Sequence, residues 1–176
     1  FWFNFANALQ RAGEYLEARQ AFERALHIAP QFFPAALNLA NLVRDQKETD
    51  EAVTLYRRAI LMKPEHSKPR VNLARLLREH KRFEETCEVL DAGLRYSPGS
   101  VDLLYERAAV GYEAGDAETA FAACQRILKQ QPRYGIAYTL VGLVEYERGN
   151  IEQAVRWWSE LARIEPSNSE PCINLG

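Results

Sequence analysis

Asparagines recur at a fixed interval in this chain. Asn4, Asn38 and Asn72 lie 34 residues apart, Asn174 resumes the series, and Asn7 and Asn41 flank it. A side-chain amide carries both a donor and an acceptor, so it can pair with the N–H and C=O of an extended peptide without reading that peptide's side chains. Each such bond is worth about 0.5–1.5 kcal/mol net, so a row of them gives useful affinity where one would not. The same amides could instead bond to neighbouring parts of their own chain. Catalytic constellations are not evident. His27, His66 and His80 share no spacing with carboxylates or thiols, no H-E-x-x-H, G-x-S-x-G or phosphate-loop motif occurs, and Glu84-Glu85 are neighbours on a solvated helix rather than a facing pair. Cys87, Cys124 and Cys172 make an odd count without C-x-x-C spacing, which argues against a disulfide framework or a zinc site. No catalytic residue, metal ligand or cofactor is expected.

The elements that must carry the asparagines follow from the same interval. Pro30, Pro64, Pro98, Pro132 and Pro166 are each 34 residues after the last, and a fixed period of this length is the signature of a stacked repeat. Within each period apolar residues fall three and four apart, as on a helix, and never alternate as on a strand. Two ladders of small residues run through the chain: Ala6, Ala40, Ala74, Ala108, Gly142 and Gly176, and Ala18, Ala52, Thr86, Ala120 and Ala154. A bulky ladder, Phe22, Tyr56, Leu90, Cys124 and Trp158, faces a second one of Phe5, Leu39, Leu73, Val141 and Leu175. Knobs opposite clefts are what tight packing of helix pairs requires. Gly13-Glu14, Gly115-Asp116 and Gly149-Asn150 read as the turn inside each pair, with Lys47-Glu48 and Lys81-Arg82 at the corresponding places, and each proline stops the second helix.

The 176 residues carry a net charge of −2, with 47% apolar and 26% charged residues. Such a chain has no general attraction for nucleic acid or anionic membrane, and no apolar run approaches the ~18 residues of a membrane span. Thiols without partners favour a reducing compartment, with the cytoplasm as the expected location.

Trp2, Phe5, Ala6, Leu9, Ala18, Phe22, Ala25 and Pro30 match the tetratricopeptide pattern W-x2-L-G-x2-Y, A-x3-F, P residue by residue. The chain thus resembles the tetratricopeptide-repeat family over essentially its whole length. The resemblance implies an all-α fold, a right-handed solenoid (superhelix) of antiparallel helix pairs. Its repeats span about 1–32, 33–66, 67–100, 101–134 and 135–168, with a partial sixth at 169–176. Arg70 and Arg107 depart from the pattern, as do Gly111 and Glu145, each followed by a tyrosine (Tyr112, Tyr146) that is expected to cover the gap. Apolar Trp2 and Phe5 at one end and half a repeat at the other suggest a fragment of a longer array.

In similar proteins the first helices line a concave groove that holds an extended peptide or a partner helix. The resemblance places on that groove Asn4, Asn7, Asn38, Asn41, Arg44, Lys68, Asn72, Arg75 and Arg78, then Tyr105, Glu106, Tyr112 and Tyr146. Asn4-Phe5-Ala6-Asn7 and Asn38-Leu39-Ala40-Asn41 resemble the asparagine-lined superhelix of O-GlcNAc transferases. Residues 33–100 hold 12 basic and 10 acidic residues and 101–176 hold 7 and 11, so a partner's acidic segment is expected toward repeats one to three. Some relatives clamp a C-terminal carboxylate with five polar residues. Asn7, Asn38 and Lys68 match three of those places, but Phe3 and Asn72 stand where a lysine and an arginine should be, which speaks against that clamp. Trp157 is expected to pack between repeats. The leading expectation is a non-catalytic protein–protein interaction scaffold. The alternatives are the substrate-recognition arm of a larger enzyme such as a glycosyltransferase, and self-association through open repeat ends.

Overall fold

A computed structural model describes residues 1–165, and among these it contains ten helices and no strand. They are α1 (Trp2–Ala12), α2 (Tyr15–Ile28), α3 (Phe33–Asp45), α4 (Thr49–Met62), α5 (Ser67–Glu79), α6 (Phe83–Tyr96), α7 (Val101–Glu113), α8 (Ala117–Gln130), α9 (Gly135–Glu147) and α10 (Ile151–Ile164). Pro166, Cys172, Asn174, Leu175 and the partial sixth repeat lie outside the described residues. The chain forms two compact units, Phe1–Val89 and Leu90–Gly176, with the boundary inside α6.

In the first unit α1 packs on α2 and α3 on α4, while α2 lies along α3 and α4 along α5. The first helices α3 and α5 also touch. In the second unit α7 packs on α8 and α9 on α10, with α8 along α9 and α7 touching α9. The short turns inside each pair force the two helices antiparallel.

The turns are set by chemistry at one register. Gly13, Lys47, Lys81, Gly115 and Gly149 all adopt positive φ, at 85°, 64°, 57°, 77° and 78°. Each closes its helix with the same pair of backbone bonds, as in Lys47 N–H to Arg44 O (2.8 Å) and Glu48 N–H to Val43 O (3.2 Å), which satisfies carbonyls the helix leaves open. The lysines occupy a conformation that glycine adopts freely. The connection to the next pair is equally regular. Phe32 N–H bonds Ala29 O, His66 N–H bonds Lys63 O, Ser100 N–H bonds Ser97 O and Tyr134 N–H bonds Gln131 O, at 3.0–3.1 Å. Pro30, Pro64, Pro98 and Pro132 therefore each sit second in a β-turn, the place their fixed φ suits. Each of their carbonyls accepts a side-chain bond, from Arg58, Arg70, Arg126 and Tyr138 respectively.

Both small ladders are fully buried within the described residues, and Phe22, Tyr56, Leu90 and Cys124 are at 0% exposure. The departures find local solutions. Arg70 stands where other pairs have Trp2 or Tyr138; it is buried and bonds Pro64 O, as Tyr138 bonds Pro132 O. Arg107 pairs its Nε with Asp91 at 2.9 Å. The expected tyrosine cover at Gly111 and Glu145 is not what closes those gaps. At Gly111 the helices approach until an added Cβ would lie 3.0 Å from Ala120 N, and the Glu145 carboxylate turns to accept from Asn150 Nδ2 at 2.7 Å. Tyr146 stays 54% exposed. Phe5 also departs from expectation: it is 43% exposed while Leu39, Leu73 and Val141 at its register are buried.

Candidate functional site

In the first unit the polar row is built from α1, α3 and α5. Asn4 and Asn7 on α1, Asn38, Asn41 and Asp45 on α3, and Lys68, Asn72 and Arg75 on α5 fall three and four apart, which aligns each set on one helix face. Asn4, Lys68 and Arg75 are exposed, and Asn7, Asn38, Asn41, Arg44, Asn72 and Arg78 are half-buried. The amides link neighbouring helix pairs. Asn38 Nδ2 donates to Asn7 Oδ1 and Asn72 Nδ2 to Asn41 Oδ1, both at 2.8 Å. Tyr56 OH donates to Asn41 Oδ1 at 2.7 Å, so this oxygen fills both lone pairs. The carbonyl oxygens of Asn38 and Asn72 accept no bond from the described residues.

Tyr56 is the contributor that sequence reasoning missed. Its register mates are Phe22, Leu90, Cys124 and Trp158, and a phenol in such a ladder signals a buried hydroxyl with a partner. Burial pushes that hydroxyl up to about 12, so Tyr56 remains a neutral donor through ordinary pH. Arg44 is held by Asp45 through Nε (3.0 Å) and Nη2 (2.7 Å).

The second unit presents a different surface. Tyr105 and Tyr112 are half-buried, and Tyr146 and Ile136 are 54% and 53% exposed. Tyr112 OH donates to Glu147 Oε1 at 2.7 Å, and this bond to a carboxylate pushes the phenol up to about 12. Tyr146 rests on Trp158, ring centroids 6.0 Å apart. Glu106, expected on the groove, is fully buried. Trp157 packs between Phe121 and Tyr138 at 6.4 and 5.9 Å, as expected for a residue between repeats.

The histidines are dispersed. His66 lies against Phe33 with centroids 4.9 Å apart, and His80 bridges Leu76 O and Thr49 Oγ1. Cys87 and Cys124 form no disulfide among the described residues. Among the described residues no group of three or more His, Cys, Asp or Glu is placed to hold a metal ion, and no helix is long and apolar enough to cross a membrane.

The family description "Tetratricopeptide repeat" matches residues 3–68 and 71–134, well over half of the chain. No curated protein sequence matches it. Among solved structures, MamA from Desulfovibrio magneticus superposes with a TM-score of 0.81 at 15% identity, covering 96% of this chain and 96% of that one. YrrB, described as a tetratricopeptide-repeat protein with an unusual peptide-binding site, gives 0.78 at 17% identity over 98% of this chain and 89% of its own. TTC0263 of Thermus thermophilus gives 0.67 at 18% identity, covering 98% and 94%. Identities this low speak to fold alone, whereas the family match rests on the sequence: the chain belongs to the tetratricopeptide-repeat family, and its fold is an all-α repeat solenoid.

Proposed function

We infer that the chain is a non-catalytic interaction scaffold, built of repeats at 1–32, 33–66, 67–100, 101–134 and 135–168, that binds extended segments of partner proteins on the first-helix faces of its units. In the first unit the site is Asn4, Asn7, Asn38, Asn41, Arg44, Lys68, Asn72, Arg75 and Arg78, and it takes a peptide with an acidic segment. In the second unit Tyr105, Tyr112 and Tyr146 offer aromatic contact.

One observation carries this reading. The Asn7–Asn38 and Asn41–Asn72 bonds hold the amides in fixed orientation, yet leave the Asn38 and Asn72 oxygens unspent on a partly exposed face. Prearranged acceptors lose little side-chain freedom when a peptide N–H arrives. Lys68 and Arg75 flank Asn72 on the same face and favour a carboxylate nearby. That YrrB carries a peptide-binding site on the same fold agrees with this use.

The test is selection of peptides from a displayed random library against the chain, followed by titration of synthetic versions. Selected peptides should be enriched in Asp and Glu, and Lys68→Ala and Asn4→Ala should each weaken binding several-fold with little change in melting temperature, since both side chains are exposed and make no bond within the described residues. Asn38→Ala and Asn72→Ala should weaken binding and also cost about 0.5–1.5 kcal/mol each, because their amides join helix pairs. Peptides that ignore all four substitutions would remove this surface from the function.

A further inference from the structure

Two joints between consecutive helix pairs are latched at one register by a planar, nitrogen-bearing side chain. His80, just past the end of α5, donates to Leu76 O at 2.9 Å and bonds Thr49 Oγ1 across the joint at 3.1 Å. Arg148, at the same register past α9, donates to Glu118 across its joint at 2.7 Å and to Glu145 at 3.3 Å. At the joint that α3 makes with α1 and α2, this register holds Gln46, and Tyr15 stands at the register of Thr49. Here the latch is missing. The side chains of Gln46, Tyr15 and Gln10 make no hydrogen bond among the described residues, yet Gln46 Oε1 is buried. A partly open cavity of about 270 Å³ lies in the latch's place, lined by Gln10, Tyr15, Leu42, Asp45 and Gln46. Both of its walls belong to this chain, so it is a property of an interior joint.

A buried acceptor without a donor is destabilising, so the cavity favours an occupant that brings N–H groups. Its volume is far more than one water needs. Asp45 adds a carboxylate at the rim, where Arg44 holds only Oδ1. Tyr15 adds an aromatic face, on which a planar cation stacks. Gln10 and Asp45 stand one turn beyond Asn7 and Asn41 on their helices, so the cavity adjoins the end of the asparagine row. We propose that the cavity takes the guanidinium of an arginine carried by the segment that binds that row. This rests on the peptide-binding reading of the row and names one side chain that the segment carries. The guanidinium donates to Gln46 Oε1 and Asp45 Oδ2 and lies against Tyr15, latching this joint as Arg148 latches its own. Acidic residues of the same segment stay with Lys68 and Arg75.

The test runs the displayed-library selection on three forms of the chain. These are the unaltered chain, Gln46→Glu, and the double variant Tyr15→Thr/Gln46→His, which installs the latch of Thr49 and His80 and fills the cavity. Peptides taken by the unaltered chain should carry an arginine at a fixed spacing from their acidic residues. Replacing that arginine with Ala should weaken binding at least tenfold, and with Lys several-fold, because an ammonium lacks the planar fork. Gln46→Glu should tighten the arginine-bearing peptide several-fold, and it reports on the site even where the latch variant loses its helical circular dichroism. The latch variant should bind the arginine and alanine peptides within twofold of each other while keeping the preference for Asp and Glu. Acidic peptides without arginine, or a latch variant that still prefers arginine, would overturn the arginine site and leave the acidic-peptide reading standing. Should no form select a peptide, that reading fails, and Nα-acetyl-arginine methylamide tests the cavity by itself. It should shift the side-chain amide resonances of Gln10 and Gln46 in the unaltered chain and not in the latch variant. Resonances that stay put would mean a cavity holding water only, and would overturn the proposal.

Discussion

Lys47 and Lys81 occupy the left-handed region at φ 64° and 57°, where the same turn elsewhere uses glycine. A side chain there costs about 1–2 kcal/mol, against which glycine loses roughly 0.5–1 kcal/mol of backbone entropy on folding. The lysine side chains are exposed and make no bond within the described residues, so nothing offsets the strain. Lys47→Gly and Lys81→Gly are each expected to stabilise the chain by about 0.5–1 kcal/mol, read as a higher urea midpoint with an unchanged slope. Gly13→Ala should move the midpoint the other way although no atom obstructs its methyl group. A neutral Lys47→Gly would mean that the turn holds its shape without strain. Residue-scale chemistry of this kind was only half legible in the sequence. The place of every turn showed in the period, but the lysines gave no sign that they would take a glycine's conformation.

At the scale of the helix pair, Gly142 and Trp158 form one unit. Among the described residues the other members of the Gly142 ladder are alanines, and the mates of Trp158 are Phe22, Tyr56, Leu90 and Cys124. A Cβ on Gly142 would fall inside the Trp158 indole, whose N–H donates to Thr139 O at 3.3 Å. The widest knob therefore faces the deepest cleft. Gly142→Ala gains about 1 kcal/mol of helix propensity but overpacks the contact by about 1–3 kcal/mol, and net destabilisation is expected. Combined with Trp158→Phe it recreates the Ala6–Phe22 pairing, so the double variant should be more stable than the two single losses summed, by about 1–2 kcal/mol of coupling. Strict additivity in that cycle would show that the two residues do not share the space. Such compensation was readable as two ladders of complementary size. The solutions at Arg70 and Glu145 were not, because a buried arginine or glutamate is decided by which carbonyl or amide lies within reach, and only coordinates supply that.

For the whole molecule, the 34-residue period carried the class of fold, the helix pairs and the turns into view, because largely the same positions of the repeat are buried from one helix pair to the next. The candidate site was legible as a list of residues and not as a network. The sequence shows Asn7, Asn38, Asn41 and Asn72, while the partners they choose depend on side-chain directions across helix pairs, and the hydroxyl of Tyr56 enters from the opposite helix. The same ladder sets how stability responds to alkali. Burial pushes the Cys124 thiol up to about 12 and the Tyr56 hydroxyl to about 12, from ordinary values of 9 and 10. Both are acids held neutral by the fold, so neither alters stability below pH 9. Above pH 9 the unfolded chain releases the Cys124 proton while the folded chain keeps it, and stability falls; from pH 10 Tyr56 adds to the fall until both folded groups titrate near 12. Urea midpoints followed from pH 7 to 11.5 should stay level to about pH 9 and then drop, by about 1.4 kcal/mol per pH unit for each group still mismatched. Cys124→Ala, whatever it costs at neutral pH, should delay the drop to about pH 10, and Tyr56→Phe should make the part above 10 shallower, with Tyr112, whose phenol is also held up at about 12, carrying part of what remains. Tyr56→Phe also releases one bond to Asn41, so it should lower the midpoint at pH 7 as well, by about 1 kcal/mol. A stability curve that stays flat to pH 11 in the unaltered chain would mean that water reaches the ladder and that the helix pairs are looser than their burial implies.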